Sequence, residues 1–205
     1  MAVPRMNALR ILVASALIGA GLPACTAGGA DAAPEVAPLA GTKIGGPFTL
    51  VNGDGQTVTD RDFAGKYRLM YFGYTFCPDV CPVDMQRLAA GYRKLAKEDP
   101  ARAARLQPIF VTVDPQRDTP AVVKQFTAAF DPRFVGLTGS PEAIARVADA
   151  YLIPYAKREG ATPGSYLVDH GRQAYLMAPD GSPVALIPQD GTPDEIVAEL
   201  QRWMR

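Results

Sequence analysis

The chain has 205 residues, of which 48% are hydrophobic and 20% charged. That is enough apolar content for a buried core and too much for a disordered chain. With 21 basic residues against 21 acidic ones, it lacks the positive field a general nucleic-acid binder needs. Three Cys and one His exclude a His-rich metal site, so any imidazole chemistry falls on His170.

In chain order, Arg5 and Arg10 precede an uncharged apolar run, ILVASALIGAGLPA, from Ile11 to Ala24. A basic region followed by a short apolar one reads as a secretory signal. The run ends in Leu22-Pro23-Ala24-Cys25, which resembles a bacterial lipobox, although Pro23 departs from the usual pattern. In such lipoproteins the cysteine is acylated and becomes the first residue after cleavage. A plain cleaved signal and an uncleaved anchor are the alternatives. No charge falls between Ile11 and Ala30, and about 20 residues can cross a hydrocarbon core.

All three readings place the rest of the chain outside the cytoplasm. The expectation is therefore a signal over residues 1–24, lipidation at Cys25, and an exported domain held at the periplasmic side of a bacterial cytoplasmic membrane or at another extracytoplasmic membrane surface. Cleavage before Cys25 removes two arginines and leaves 19 basic against 21 acidic residues, a net charge of −2. Residues 25–43 are Ala/Gly/Pro-rich without apolar period and read as a tether. The folded domain is expected over 44–205.

Within it, Phe48–Thr59 reads as two short strands around the Asn52-Gly53-Asp54-Gly55 turn. Tyr67–Tyr74 is a buried strand by its apolar run. Pro82–Glu98 places apolar residues at helical spacing. Gln107–Val113 is a second buried strand, stopped by Asp114-Pro115. Thr119-Pro120 opens a helix to about Phe130, and Ser140-Pro141 opens another, each with an N-cap and a Pro at N1. A short strand over Phe134–Leu137 lies between them. Tyr166–Asp169 leads to His170. A hairpin about Pro179-Asp180-Gly181 joins Gln173–Met177 to Val184–Ile187, and Thr192-Pro193 opens a last helix ending near Trp203. Alternating strands and helices indicate an α/β fold. A terminal hairpin and helix, with a cysteine pair after the first central strand, is the thioredoxin-like arrangement. It is a central mixed sheet flanked by helices, here with an N-terminal β-hairpin.

Cys77 and Cys81 are spaced C-x3-C within YTFCPDVCP. On a helix such positions share one face, about 5–6 Å apart. Two thiolates so placed can hold one soft metal ion or close as a disulfide. Pro78 fits a first helical turn, and a helix N-terminus would lower a thiol pKa. A plain structural disulfide is common outside the cytoplasm, but so short a loop removes little unfolded-chain entropy.

A lone histidine is more often an ordinary surface or hydrogen-bonded residue than a ligand. His170, however, ends a strand, where sites collect in α/β folds. Two thiolates and one imidazole suit three-coordinate copper better than structural zinc, which takes four protein ligands. Asp169 either orients the imidazole or tunes its charge, or it is a strand-end turn acid. Asp114, Arg117 and Asp118 read as a loop and cap network rather than a catalytic dyad.

Three blocks carry a resemblance to a known family: YFGYTFCPDVCP over Tyr71–Pro82, VDPQRDTP over Val113–Pro120, and YLVDHGRQAYLMAPDG over Tyr166–Gly181. In this order the chain resembles the Sco/SenC copper chaperones over roughly 41–205. The resemblance implies a thioredoxin-like fold and one copper ion per chain, as Cu(I) or Cu(II), on Cys77, Cys81 and His170. It also implies a role in supplying copper to the dinuclear site of cytochrome c oxidase subunit II, or in reducing that site's cysteines, on a membrane-attached periplasmic protein.

The first expectation is thus a copper metallochaperone. The second is a thiol–disulfide oxidoreductase, with a redox-active dithiol in which Cys77 attacks and Cys81 resolves, served by a thioredoxin-like reductant. A peroxidase, suggested faintly by Thr75 before Cys77, is disfavoured by the close second cysteine. The expected partners are a copper acceptor, a reductant and the membrane, with no nucleic acid.

Overall fold

The structure, a computed structural model, describes residues 35–205. The expected signal over 1–24, the expected lipidation at Cys25 and the first part of the expected tether fall on residues outside those described. Among those described, no helix is long and apolar enough to cross a membrane.

The chain from Val36 to Arg205 forms one compact unit. The boundary therefore falls earlier than the expected start at 44. Ala37 and Leu39 pack against the core, and the Leu39 N–H donates to the Val184 carbonyl at 3.0 Å. Two apolar side chains in an Ala/Pro-rich stretch give no periodicity, so this docking is invisible to a pattern search.

Strands β1 (Thr49–Asn52) and β2 (Thr57–Thr59) form the expected hairpin. Asn52 Oδ1 accepts the N–H groups of Asp54 and Gln56, both at 3.0 Å, and Gly55 takes a φ of 78°. This is the Asx-turn chemistry that Asn-Gly-Asp-Gly encodes. Strand β3 (Tyr67–Gly73) is buried along its whole length, as a central strand covered on both faces must be. Alternate residues serve the two layers. Leu69 and Tyr71 face α1 (Val80–Glu98) and α5 (Pro193–Trp203), while Met70 and Phe72 share the other core with α4 (Pro141–Ala150).

The remaining strands are β4 (Leu106–Thr112), β5 (Val135–Thr138), β6 (Tyr155–Glu159), β7 (Tyr166–His170), β8 (Ala174–Met177) and β9 (Pro183–Ile187). The main sheet runs β2-β1-β5-β4-β3-β8-β9. It is mixed: β4 is parallel to β3 and β5, whereas β8 is antiparallel to β3. With helices on both faces, this is the expected thioredoxin-like α/β fold with its N-terminal hairpin. The capped helix starts also form. Ser140 accepts from the Ala143 N–H, and Thr192 with Glu195 makes a capping box. Helix α3 (Pro120–Ala128) begins after Thr119, but the Thr119 side chain makes no cap hydrogen bond.

Three elements depart from the expected string. A 3₁₀ turn (Asp60–Phe63) and a short α2 (Pro100–Ala104) join their neighbours. Strand β6 pairs with β7 in a separate two-stranded sheet. Its sequence, YAKRE, is almost wholly exposed and so has no apolar alternation to read.

Candidate metal centre

The site lies beyond the carboxyl end of β3, at the entrance to α1. Helix α1 starts at Val80, with Asp79 at the N-cap. Cys77 and Pro78 therefore precede the helix, which corrects the expectation that both cysteines ride one helical face. Asp79 makes no side-chain cap bond. Instead the Cys77 sulfur accepts the Cys81 N–H at 3.5 Å, so a thiolate takes the position where a capping oxygen normally sits.

The two thiols are consequently unequal. The Cys77 pKa is held down to about 3, first by the hydrogen bond from the Cys81 thiol and then by His170 and the N–H groups of Cys81 and Asp79, while burial pushes the other way. Cys81 is pushed up, first because its proton is the one given to Cys77 and next by burial. The hydrogen bond between the sulfurs thus favours thiolate at Cys77 and thiol at the buried Cys81.

His170 reaches the same point from β7. Its Nδ1 lies 2.8 Å from the Gly171 carbonyl oxygen. A carbonyl only accepts, so Nδ1 carries the proton between them, and Nε2 is the nitrogen turned to the cysteines. That Nε2 is 3.2 Å from the Cys81 sulfur. The Tyr74 ring meets the imidazole edge-on at 5.9 Å. Together the ligand atoms of Cys77, Cys81 and His170 lie within 4.8 Å of one another. Cys77 and His170 line a cleft of about 300 Å³ together with Tyr74, Pro78, Val80 and Val168, and Cys81 is buried behind them. Two soft sulfurs and one borderline imidazole nitrogen, with one thiolate already formed, fit a copper ion.

The loop is braced from below by Asp118. Its carboxylate accepts the Thr75 N–H at 2.9 Å, the Thr75 hydroxyl at 2.6 Å and the Thr112 hydroxyl at 2.6 Å. Burial raises its pKa, and these hydrogen bonds oppose the rise. Asp114 pairs with Arg117 at 2.5 Å and accepts from the Tyr166 hydroxyl at 2.8 Å. The side chains of the VDPQRDTP segment thus form a loop network, but none of them caps α3, since Asp118 turns to Thr75 and Thr112 instead.

The family pattern described as SCO1/SenC matches residues 36–205. The chain belongs to the SCO1/SenC family. It is 46% identical over 160 residues to Protein SenC of Rhodobacter capsulatus, covering 78% of this chain and 70% of that one. It is 39% identical over 166 residues to the mitochondrial SCO1 homolog 1 of Arabidopsis thaliana, covering 79% of this chain and 48% of the relative, about half its length.

Among solved structures, copper-bound ScoI of Bradyrhizobium japonicum superposes with a TM-score of 0.70 at 41% identity, covering 78% of this chain and 99% of that one. A SCO1/SenC family lipoprotein of Bacillus anthracis gives 0.65 at 26% identity, covering 78% and 94%. BsSco, described through a disulfide switch and as a member of the Sco family of cytochrome c oxidase assembly proteins, gives 0.61 at 26%, also covering 78% and 94%. Sco-family structures therefore bind copper, and this chain brings together a Cys-Cys-His group able to hold a metal ion.

One expected neighbour lines the cleft and pairs with another side chain rather than with the ring. Asp169, read as a possible orienting group for the imidazole, forms an exposed ion pair with Arg158 at 3.1 Å. The Gly171 carbonyl, not Asp169, meets the His170 ring nitrogen and orients the ring. Sequence reasoning missed Tyr71, Asp84 and Arg172, a polar group beside Cys81. Its trace in the sequence is an acid three residues after Cys81, on the face of α1 that the apolar spacing assigns to the core.

Proposed function

We propose that this chain binds one copper ion, as Cu(I) or Cu(II), through Cys77, Cys81 and His170, and passes it to an acceptor during assembly of cytochrome c oxidase. The observation that carries this is the convergence of three donors, two of them sulfur, at an open cleft. The named relatives support both the metal and the assembly role. The finer reading is delivery to the dinuclear copper site of subunit II, by exchange of Cys77 and Cys81 for the acceptor's own cysteines. Uptake requires the reduced dithiol, since a disulfide has no thiolate to offer. The folded copper-binding domain is held on the outer face of a bacterial membrane through acylated Cys25, beyond a signal over 1–24.

A second reading rests on the inequality of the thiols. Cys77 is half-buried and holds the thiolate, whereas Cys81 is buried and protonated. This is the arrangement of a dithiol reductant. The Cys77 thiolate attacks a partner disulfide and displaces one partner thiolate. Cys81, losing its proton, then attacks the Cys77 sulfur of the mixed disulfide and releases the second thiolate. The partner gains two electrons and this chain is left with a Cys77–Cys81 disulfide, which a thioredoxin-like protein re-reduces. Reducing an acceptor's cysteines prepares them for copper, so the two activities are compatible.

Copper titration of the reduced full chain tests the first reading, with absorption and paramagnetic resonance as readouts. About one ion should bind per chain, and Cys77→Ser should abolish the sulfur-to-copper absorption. His170→Ala should weaken Cu(II) binding most, because imidazole is the borderline ligand of the set. An unchanged spectrum and stoichiometry in His170→Ala would reject the three-ligand site. Reduction of a disulfide substrate by the metal-free chain, lost in Cys77→Ser, tests the second.

A further inference from the structure

The proposed chemistry leaves without a role one charged cluster, in which a partly exposed arginine meets a buried aspartate. Asp84 is fully buried in α1, one turn beyond Cys81. Its Oδ1 accepts from Arg172 Nη2 at 2.7 Å, and its Oδ2 accepts from Arg172 Nε at 3.0 Å. The Tyr71 hydroxyl, buried on β3, donates to the same Oδ2 at 2.8 Å. A carboxylate stripped of water and met by a two-pronged guanidinium is held in one geometry. Replacing such a pair with apolar groups often costs no stability, so stability alone is a weak reason for it to be there.

Its placement supplies a reason. The metal donors arrive on two elements: Cys81 in the first turn of α1, and His170 at the end of β7. Arg172 sits two residues after His170, on the link from β7 to β8, and Asp84 sits three residues after Cys81. The ion pair therefore ties the segment carrying the imidazole to the helix carrying the buried thiol. The link has little slack. The Gly171 N–H donates to the Pro154 carbonyl at 2.9 Å, and a Cβ on Gly171 would meet Gln173 Oε1 at 2.5 Å and Pro154 Cδ at 3.1 Å. In so confined a segment, a shift of Arg172 is passed on to the Gly171 carbonyl that fixes the His170 ring.

We propose that Arg172 and Asp84, completed by Tyr71, form a clamp that presets the spacing between Cys81 and His170 before metal arrives. They are positioning residues for the copper site, and the inference rests on the copper-binding reading given above. The clamp lowers the ordering cost of binding, because the imidazole need not be fixed as the ion enters. Removing groups that orient metal ligands typically weakens metal binding about 10–100-fold.

The test uses the full chain with reduced cysteines, Arg172→Met, and the double variant Asp84→Asn with Arg172→Met. The double variant leaves no uncompensated buried charge and keeps an acceptor for Tyr71, so it stays folded if the lone aspartate in the single variant does not. Cu(II) affinity by chelator competition should fall about 10–100-fold in both, with a broadened paramagnetic spectrum, and Arg172→Lys should recover part of the loss. In the metal-free chain, the His170 ring resonances should be single and sharp in the wild type and broadened by exchange in the variants. Folded variants with wild-type copper affinity and sharp His170 resonances would overturn the clamp. A wild-type chain that binds no copper would overturn the copper reading, while the ring resonances would still decide whether the clamp exists.

Discussion

At Asp118 and Asp131 the same side chain faces opposite electrostatic demands, and pH separates them. Asp118 is buried beneath the cysteine loop, and desolvation raises its pKa above 3.8. A raised folded-state value means that its contribution to stability is fully present below pH 3.8 and is lost as pH rises through the folded value. Asp131 is fixed by the Arg133 fork at 2.7 and 2.8 Å. Those bonds, first among the causes, hold its pKa below 3.8. Its contribution is present above pH 3.8 and is lost as pH falls through the folded value. Urea unfolding of Asp131→Ala should therefore show a deficit of about 2 kcal/mol at neutral pH that shrinks towards strong acid. Asp118→Ala should not share that profile. Its deficit should be largest in acid, because three hydrogen bonds to the loop and to β4 are lost there without relief of a buried charge. Equal pH profiles for the two variants would contradict the assignment.

Among the elements, legibility followed burial. Strands β3 and β4 are continuous apolar runs, and α4 and α5 begin at Ser-Pro and Thr-Pro, so pattern and punctuation agree. The β6 strand has four exposed residues in five, and its identity comes from pairing with β7 rather than from its composition. The cysteine loop was legible as a site but not in its geometry. The 3.6-residue period says where two helical residues lie, yet it does not say where the helix begins. Here the first cysteine stays outside and caps it.

Gly91 shows a constraint of the same kind. It lies in the middle of α1, where Ala would normally gain about 1 kcal/mol over Gly. An added Cβ there would collide with Ile196 of α5, and Ile196 is fully buried. Gly91→Ala should instead destabilise by about 1–3 kcal/mol, and melting should drop by roughly 2–4 °C per kcal/mol at this size. Copper stoichiometry should be unchanged, since the contact is between helices and away from the cleft. A variant more stable than the wild type would show that α1 and α5 can separate cheaply.

For the molecule as a whole, the proposed acylation of Cys25 would divide the sparse inventory of three Cys and one His into two tasks. Cys77, Cys81 and His170 converge in the compact unit that starts at Val36. Cys25 precedes that unit and cannot be a fourth ligand if it is acylated, so anchoring and metal binding do not compete for sulfur. The proposed acylation is one of two devices that would hold the chain at a membrane. Each buried CH₂ contributes about 0.8 kcal/mol, and one chain alone gives only reversible attachment. The segment Ile11–Ala24 is rich in Gly and Ala and would make a weakly hydrophobic span if left in place. Cys25→Ser separates the two devices. On the acylated reading, the wild-type chain takes up labelled fatty acid, begins at Cys25 by mass, and remains in the membrane fraction after an alkaline wash. The variant takes up no label and is not processed at that position. A Cys25→Ser chain of the same mass and the same membrane retention as the wild type would instead assign the anchor to the uncleaved apolar run.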